Sequence, residues 1–280
     1  MIKVSCCIPG KLPHEAGLVA TNQYEKLLFG YQYLTSIGFD TVETSVGMIL
    51  DLTDEERAKL RADRDAGRFE LDVCNCLLPS QYSIITDEAG YIALFNYLED
   101  TFTKLSFIGV KKVVFGSGRA RSTPADRDPA ECDVIRTDFL VRSNQLCEKY
   151  GITMVLEPLN KGETNWVNTI PEGAKVVRDM NLSHIRLLAD GFHMAKEGED
   201  PAILREVGDI LSHTHFAEVT HRHAPYTYDD DYENRFFGTL KEIGYNGIVS
   251  CECGYRSFHE DVLNAVNRMK EIFNSRYNIV

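Results

Sequence analysis

Short apolar runs and longer amphipathic stretches alternate along the whole of this chain. The short runs are rich in Val, Ile, Leu and Phe, as strands buried on both faces should be. They predict eight strands, at Lys3–Cys7, Thr41–Glu43, Phe69–Cys74, Lys112–Phe115, Thr153–Glu157, Ile185–Ala189, Leu211–Phe216 and Gly247–Glu252. Helix-start signals fall between them. Thr53-Asp-Glu-Glu56 and Ser257-Phe-His-Glu260 are capping boxes. Asp128-Pro129 and Asp200-Pro201 each place a cap residue before a proline at the first helical position. In the last predicted helix Val262, Leu263, Val266, Met269, Ile272 and Phe273 repeat on one face.

Eight β–α units in 280 residues predict a (β/α)₈ TIM barrel, a single domain over residues 1–280. No linker-like stretch or shift in composition divides the chain. The alternative, a doubly wound open sheet, wants a Gly-rich phosphate turn after the first strand, and Ile8-Pro-Gly-Lys11 is not one. An apolar content of 44% is enough for one sizeable core.

Charge narrows the function classes. The net charge is -12 with no basic stripe, which argues against nucleic acid as a partner. No apolar run is long enough to span a bilayer, and the opening MIKVSCCIPG reads as a first strand rather than a signal peptide. No membrane partner and a cytoplasmic location are expected. The eight cysteines form no C-x-x-C pair. They are expected to be buried small apolar residues in a reducing compartment, with a thiolate metal cluster as the alternative.

Four candidate ligands stand at the ends of apolar runs: Glu157, Asp190, His215 and Glu252. A barrel brings all strand C-termini to one mouth. These four would come from the fifth to eighth strands, which are neighbours around the ring. Three carboxylates and an imidazole suit one divalent metal ion: Mn²⁺, Mg²⁺, Co²⁺ or Zn²⁺. His213 points to the same side as His215 but one layer deeper, and is expected to be a satisfied core histidine. His193, three residues after Asp190, is expected to touch substrate. Glu43 ends the second strand and would bond substrate or a neighbouring loop. Arg119 and Arg121 are expected in salt bridges on a solvated loop, the alternative being a clamp for a substrate phosphate. Trp166 and the Tyr226/Tyr228 loop could wall a bound substrate or cover an interface.

The order Glu, Asp-x-x-His, His, Glu on the last four strands resembles the xylose-isomerase-like barrel superfamily. Within it the chain is most similar to the D-tagatose and D-psicose 3-epimerase group. The likeness is carried by Glu157-Pro-Leu-Asn160-Lys-Gly-Glu163, Val167-Asn168-Thr169, Asp190-Gly-Phe-His193-Met194 and His213-Thr-His215-Phe-Ala-Glu218. It implies a sugar isomerase or epimerase, with Glu157, Asp190, His215 and Glu252 as metal ligands. Glu157 and Glu252 would be the acid/base pair, moving a proton next to a ketose carbonyl through an enediolate. Glu163, His193 and Arg222 would orient a small sugar substrate. The resemblance also implies a homodimer or homotetramer. Three positions depart from the group. His221 stands where it has an arginine, with Arg222 one residue later. Glu252 is followed by Cys253-Gly254 rather than proline. The loop Gly116-Ser-Gly-Arg-Ala-Arg121 has no counterpart that carries the likeness. Rival readings are a lyase of the same superfamily, of the inosose dehydratase kind, an endonuclease IV-like hydrolase and a non-catalytic sugar-binding barrel. The hydrolase would need additional histidines on the third and fourth strands, where Cys74-Asn-Cys76 and Phe115-Gly116 stand.

Overall fold

The eight apolar runs pair in sequence order into a closed parallel barrel. A computed structural model of the chain describes residues 1–10, 12, 19–226 and 231–274; Tyr228 lies outside the described residues. The strands are β1 (Lys3–Cys7), β2 (Thr41–Ser45), β3 (Val73–Asn75), β4 (Lys112–Phe115), β5 (Thr153–Leu156), β6 (Ile185–Asp190), β7 (Leu211–Phe216) and β8 (Ile248–Cys251). Helices occupy the intervals, so the fold is the expected (β/α)₈ barrel and not an open sheet.

Boundaries shift most at β3. Phe69 and Leu71 are buried, but the ladder with β2 begins only at Val73 and runs on to Asn75. That moves Asn75 from the expected loop to a strand end at the mouth. β5 and β8 stop one residue short of Glu157 and Glu252. Both residues still donate their backbone N–H to the preceding strand, Glu157 to Phe115 O at 3.2 Å and Glu252 to Phe216 O at 3.3 Å.

The helix starts follow local chemistry. Thr53 and Glu56 form the expected reciprocal cap, and Thr169 and Glu172 form a second one. Asp128 accepts from Ala130 N ahead of a helix over Pro129–Tyr150. Asp200-Pro201 instead opens a 3₁₀ turn, Pro201–Glu206. In the last helix, Phe258–Asn274, the expected stripe is buried at Val262, Val266, Met269 and Ile272.

Two apolar layers support the barrel. The larger lies between strands and helices. The smaller fills the barrel interior with Val73, Val114, Val155, Leu188 and Ile248. Alternate strand residues share a face. Four of these five therefore stand directly beneath Asn75, Gly116, Glu157 and Asp190, two residues on. The interior plug carries the site on its upper surface. All eight cysteines are free, five of them buried, and among the described residues none joins a group able to hold a metal. No described helix is long and apolar enough to cross a membrane.

Candidate metal centre

Glu157, Asp190, His215 and Glu252 converge as the strand-end pattern predicts. Each offers a ligand atom, and these atoms all lie within 4.8 Å of one another. Glu157, Asp190 and His215 are buried, and Glu252 opens towards the mouth. Three carboxylates this close repel unless a cation is placed among them. His215 Nδ1 is 3.2 Å from Glu157 Oε1 and 3.7 Å from Glu252 Oε2.

Glu43 decides which way His215 faces. It was expected at the mouth, but it is fully buried beneath the site. Its Oε1 lies 2.9 Å from His215 Nε2 and its Oε2 lies 2.8 Å from His213 Nε2. A carboxylate can only accept, so each Nε2 carries the proton. The Nδ1 lone pair of neutral His215 is then left for a metal, the arrangement in which an outer carboxylate orients a ligating imidazole. His213 is the buried partner of Glu43 rather than a ligand in this group. The four donors fit a divalent cation in chemistry, burial and orientation.

The two glutamates sit in opposite electrostatic surroundings. Burial pushes the Glu252 carboxyl up to about 7, aided by Glu157 and Asp190 and opposed by His215 and Arg222. Burial acts on Glu157 too, but His215, His193 and Arg121 outweigh it and hold Glu157 below its ordinary value. Burial would also lower His215, yet Glu43, Glu252 and Glu157 raise it well above the imidazole range.

The other expected residues line the mouth. Asn160 donates its backbone N–H to His193 Nδ1 at 3.3 Å, and its amide lies 2.8 Å from the same atom. Nδ1 is therefore the acceptor and Nε2 the N–H. That Nε2 is buried, has no hydrogen-bond partner and lies 3.6 Å from Asp190 Oδ2. It is a donor available to a substrate oxygen. Arg222 reaches in from the loop after β7, bonding Glu163 Oε1 at 3.0 Å and Glu252 Oε2 at 3.1 Å. Its backbone is left-handed at φ 58°, and Glu218 caps the same turn by accepting from Thr220 N and His221 N. The turn brings Arg222 over the site although it stands one residue later than the motif expects.

Sequence reasoning missed Asn75, whose amide donates to Glu252 Oε1 at 3.1 Å. Only the exact end of β3 could have shown it. It also missed two further groups whose potential ligand atoms lie within 4.8 Å of one another, Glu43 with His213 and His215, and Glu218 with His221 and His223. The His-x-His spacing of the latter was legible, but the Glu218 carboxylate there already serves the turn.

Arg121 corrects an expectation. It forms no solvated salt bridge and no phosphate clamp, being fully buried against the site wall. Arg119, two residues earlier, is exposed. Trp166 packs against Arg121. The next residue, Val167, has φ 58°, a left-handed conformation that costs a β-branched residue on the order of 1–3 kcal/mol.

Gly116 shows how tightly the wall approaches Glu157. A Cβ there would overlap Glu157 Oε2, the movable end of a side chain rather than backbone. Gly116→Ala is expected to fold normally by circular dichroism yet to weaken Mn²⁺ binding about 10-fold or more. Unchanged affinity would mean that Glu157 does not hold its observed position when metal binds.

Comparison with known proteins bears on the fold and the family. A family model described as xylose isomerase-like TIM barrel matches residues 31–272. The chain is 24% identical over 235 residues to the 3-dehydro-D-guloside 4-epimerase of Escherichia coli K12, covering 81% of this chain and 87% of that one. Among solved structures, a D-psicose 3-epimerase crystallised in the presence of D-fructose superposes with TM-score 0.78 at 18% identity, over 98% of this chain and 100% of that one. The IOLI protein with a bound zinc atom superposes with TM-score 0.73 at 18% identity, over 99% of this chain and 100% of that one. Barrel, mouth and family match lead to one assignment: the chain belongs to the xylose isomerase-like TIM barrel family.

Proposed function

We propose that this protein is a metal-dependent isomerase or epimerase of carbohydrates that moves a proton next to a ketose carbonyl. The carrying observation is the convergence of Glu157 and Glu252 with Asp190 and His215 on one cluster at the barrel mouth. The match to sugar epimerases supports the class. A divalent cation bound by Glu157, Asp190, His215 and Glu252 would supply Lewis-acid polarisation of a carbonyl and its neighbouring hydroxyl.

The chain's own residues do the rest. One glutamate takes the proton from the carbon beside the carbonyl, giving an enediolate. The other returns a proton to the opposite face, which inverts that carbon. His193 Nε2–H donates to a substrate oxygen, and Arg222 with Glu163 orients hydroxyls at the rim. Glu43 holds His215, and Asn75 holds Glu252. Delivery to the neighbouring carbon from the same face would give aldose–ketose isomerisation on the same residues.

A screen of ketoses with Mn²⁺-loaded protein in D₂O tests this reading. The expected result is one deuterium on carbon beside the carbonyl, with inversion, in at least one sugar. Loss of water without a new stereocentre would transfer the site to the lyase. No exchange into any ketose or keto-sugar would overturn the proposal.

A further inference from the structure

Arg121 closes the short helix Gly118–Arg121 that follows β4 and is fully buried. Among the described residues no carboxylate forms a salt bridge with it, although the Glu157 carboxylate acts on it through space. Burying a guanidinium without direct ion-pair contact is costly, so its placement needs a reason. Its hydrogen bonds supply one. Nη2 donates to Glu157 O at 2.7 Å, and longer contacts of 3.5 Å run to Phe115 O and Val167 O. These three carbonyls belong to the end of β4, the metal-site end of β5 and the strained loop turn after it.

The guanidinium is itself held rigidly. It lies between the rings of Phe115 and Trp166, 5.6 Å from each centroid. Arg136 stacks on the same Trp166 ring at 4.9 Å and donates twice to Arg121 O, at 3.1 and 3.0 Å. Contact with aromatic faces and a fork of donors together are what arginine provides and lysine does not.

We infer that Arg121 is a positioning residue for the metal centre. Its fork clamps Glu157 by the backbone carbonyl and ties β5 to the loop that carries Glu163. The inference rests on the proposed role of Glu157 as a ligand. It goes beyond it by assigning the wall of the site to a charged residue that touches neither metal nor substrate.

The test is Mn²⁺ affinity by calorimetry on the full-length chain, in wild type, Arg121→Met, Arg121→Lys, Arg119→Met and Glu157→Gln. Loss of an outer partner of a metal ligand weakens affinity by about 10–100-fold. Arg121→Met is expected in that range. Arg121→Lys should recover part of the loss, because it keeps the charge and one donor. Arg119→Met makes the same change in net charge on the same short helix and should stay within about twofold of wild type. At saturating Mn²⁺, kcat should fall in Arg121→Met with KM changed less than kcat, since substrate contacts are untouched. Wild-type affinity in Arg121→Met overturns the inference. So does a loss in Arg119→Met equal to that in Arg121→Met. If Arg121→Met does not fold, Arg121→Lys decides: affinity identical to wild type overturns the clamp, and an intermediate loss supports it. Unweakened binding in Glu157→Gln would instead remove the ligand assignment itself, and the two failures are thereby told apart.

Discussion

Glu157→Gln and Glu252→Gln are each expected to abolish inversion of substrate. Loss of one general acid/base group alone lowers turnover by about 10²–10⁴-fold. In the proposed site each change also replaces an anionic ligand by a neutral amide, so impaired metal binding would add to the loss. Both glutamates border His215 Nδ1, at 3.2 and 3.7 Å, so neither is replaceable from a distance. The variants should nonetheless differ from a dead fold. With the metal site saturated, each keeps one glutamate facing one side of the substrate. Slow deuterium exchange without inversion should therefore survive on the epimer whose proton faces the remaining carboxylate. Near-normal inversion in either variant would remove the acid/base assignment.

The second large effect is loss of the cation. Treatment with a chelator is expected to abolish turnover, and Mn²⁺ to restore it. Restoration should depend on pH in a defined direction. Binding requires Glu252 ionised and His215 neutral. In the free chain burial pushes Glu252 up to about 7, while Glu43 and Glu252 raise His215 above the imidazole range. Binding must displace the His215 proton even above pH 7, and the Glu252 proton as well below about 7, so affinity falls with falling pH and falls more steeply below about 7. Each proton displaced changes affinity about tenfold per pH unit. Calorimetry at pH 6, 7 and 8, in buffers of different ionisation enthalpy, counts those protons. Affinity independent of pH across this range would mean that the cation does not bind at Glu252 and His215.

The fold and the four central residues were legible because barrel strands announce themselves twice. Each is a short run buried on both faces, and each ends where a ligand can stand. Glu157, Asp190, His215 and Glu252 needed only the order of the strands. What was illegible depended on distances across the barrel. Glu43 reads as a strand-end carboxylate like the others. Only the closed ring, which brings β2 across from β7, places it under two histidines. Arg121 reads as a loop arginine beside the exposed Arg119. Its burial follows from the short helix after β4 and from Trp166, some forty residues further along the chain. Asn75 was hidden by a strand boundary. Arg222 was suggested by its motif, but its reach depends on the left-handed turn capped by Glu218. The candidate ligand set was thus written in residue types at strand ends, and its support in contacts between elements remote in sequence.

The most direct test of the account is a count of tight Mn²⁺ sites per chain after chelation, in wild type and in Glu252→Gln. One site in wild type, lost or much weakened in the variant, is the predicted result. No tight site in wild type, or a site that Glu252→Gln leaves intact, would contradict it.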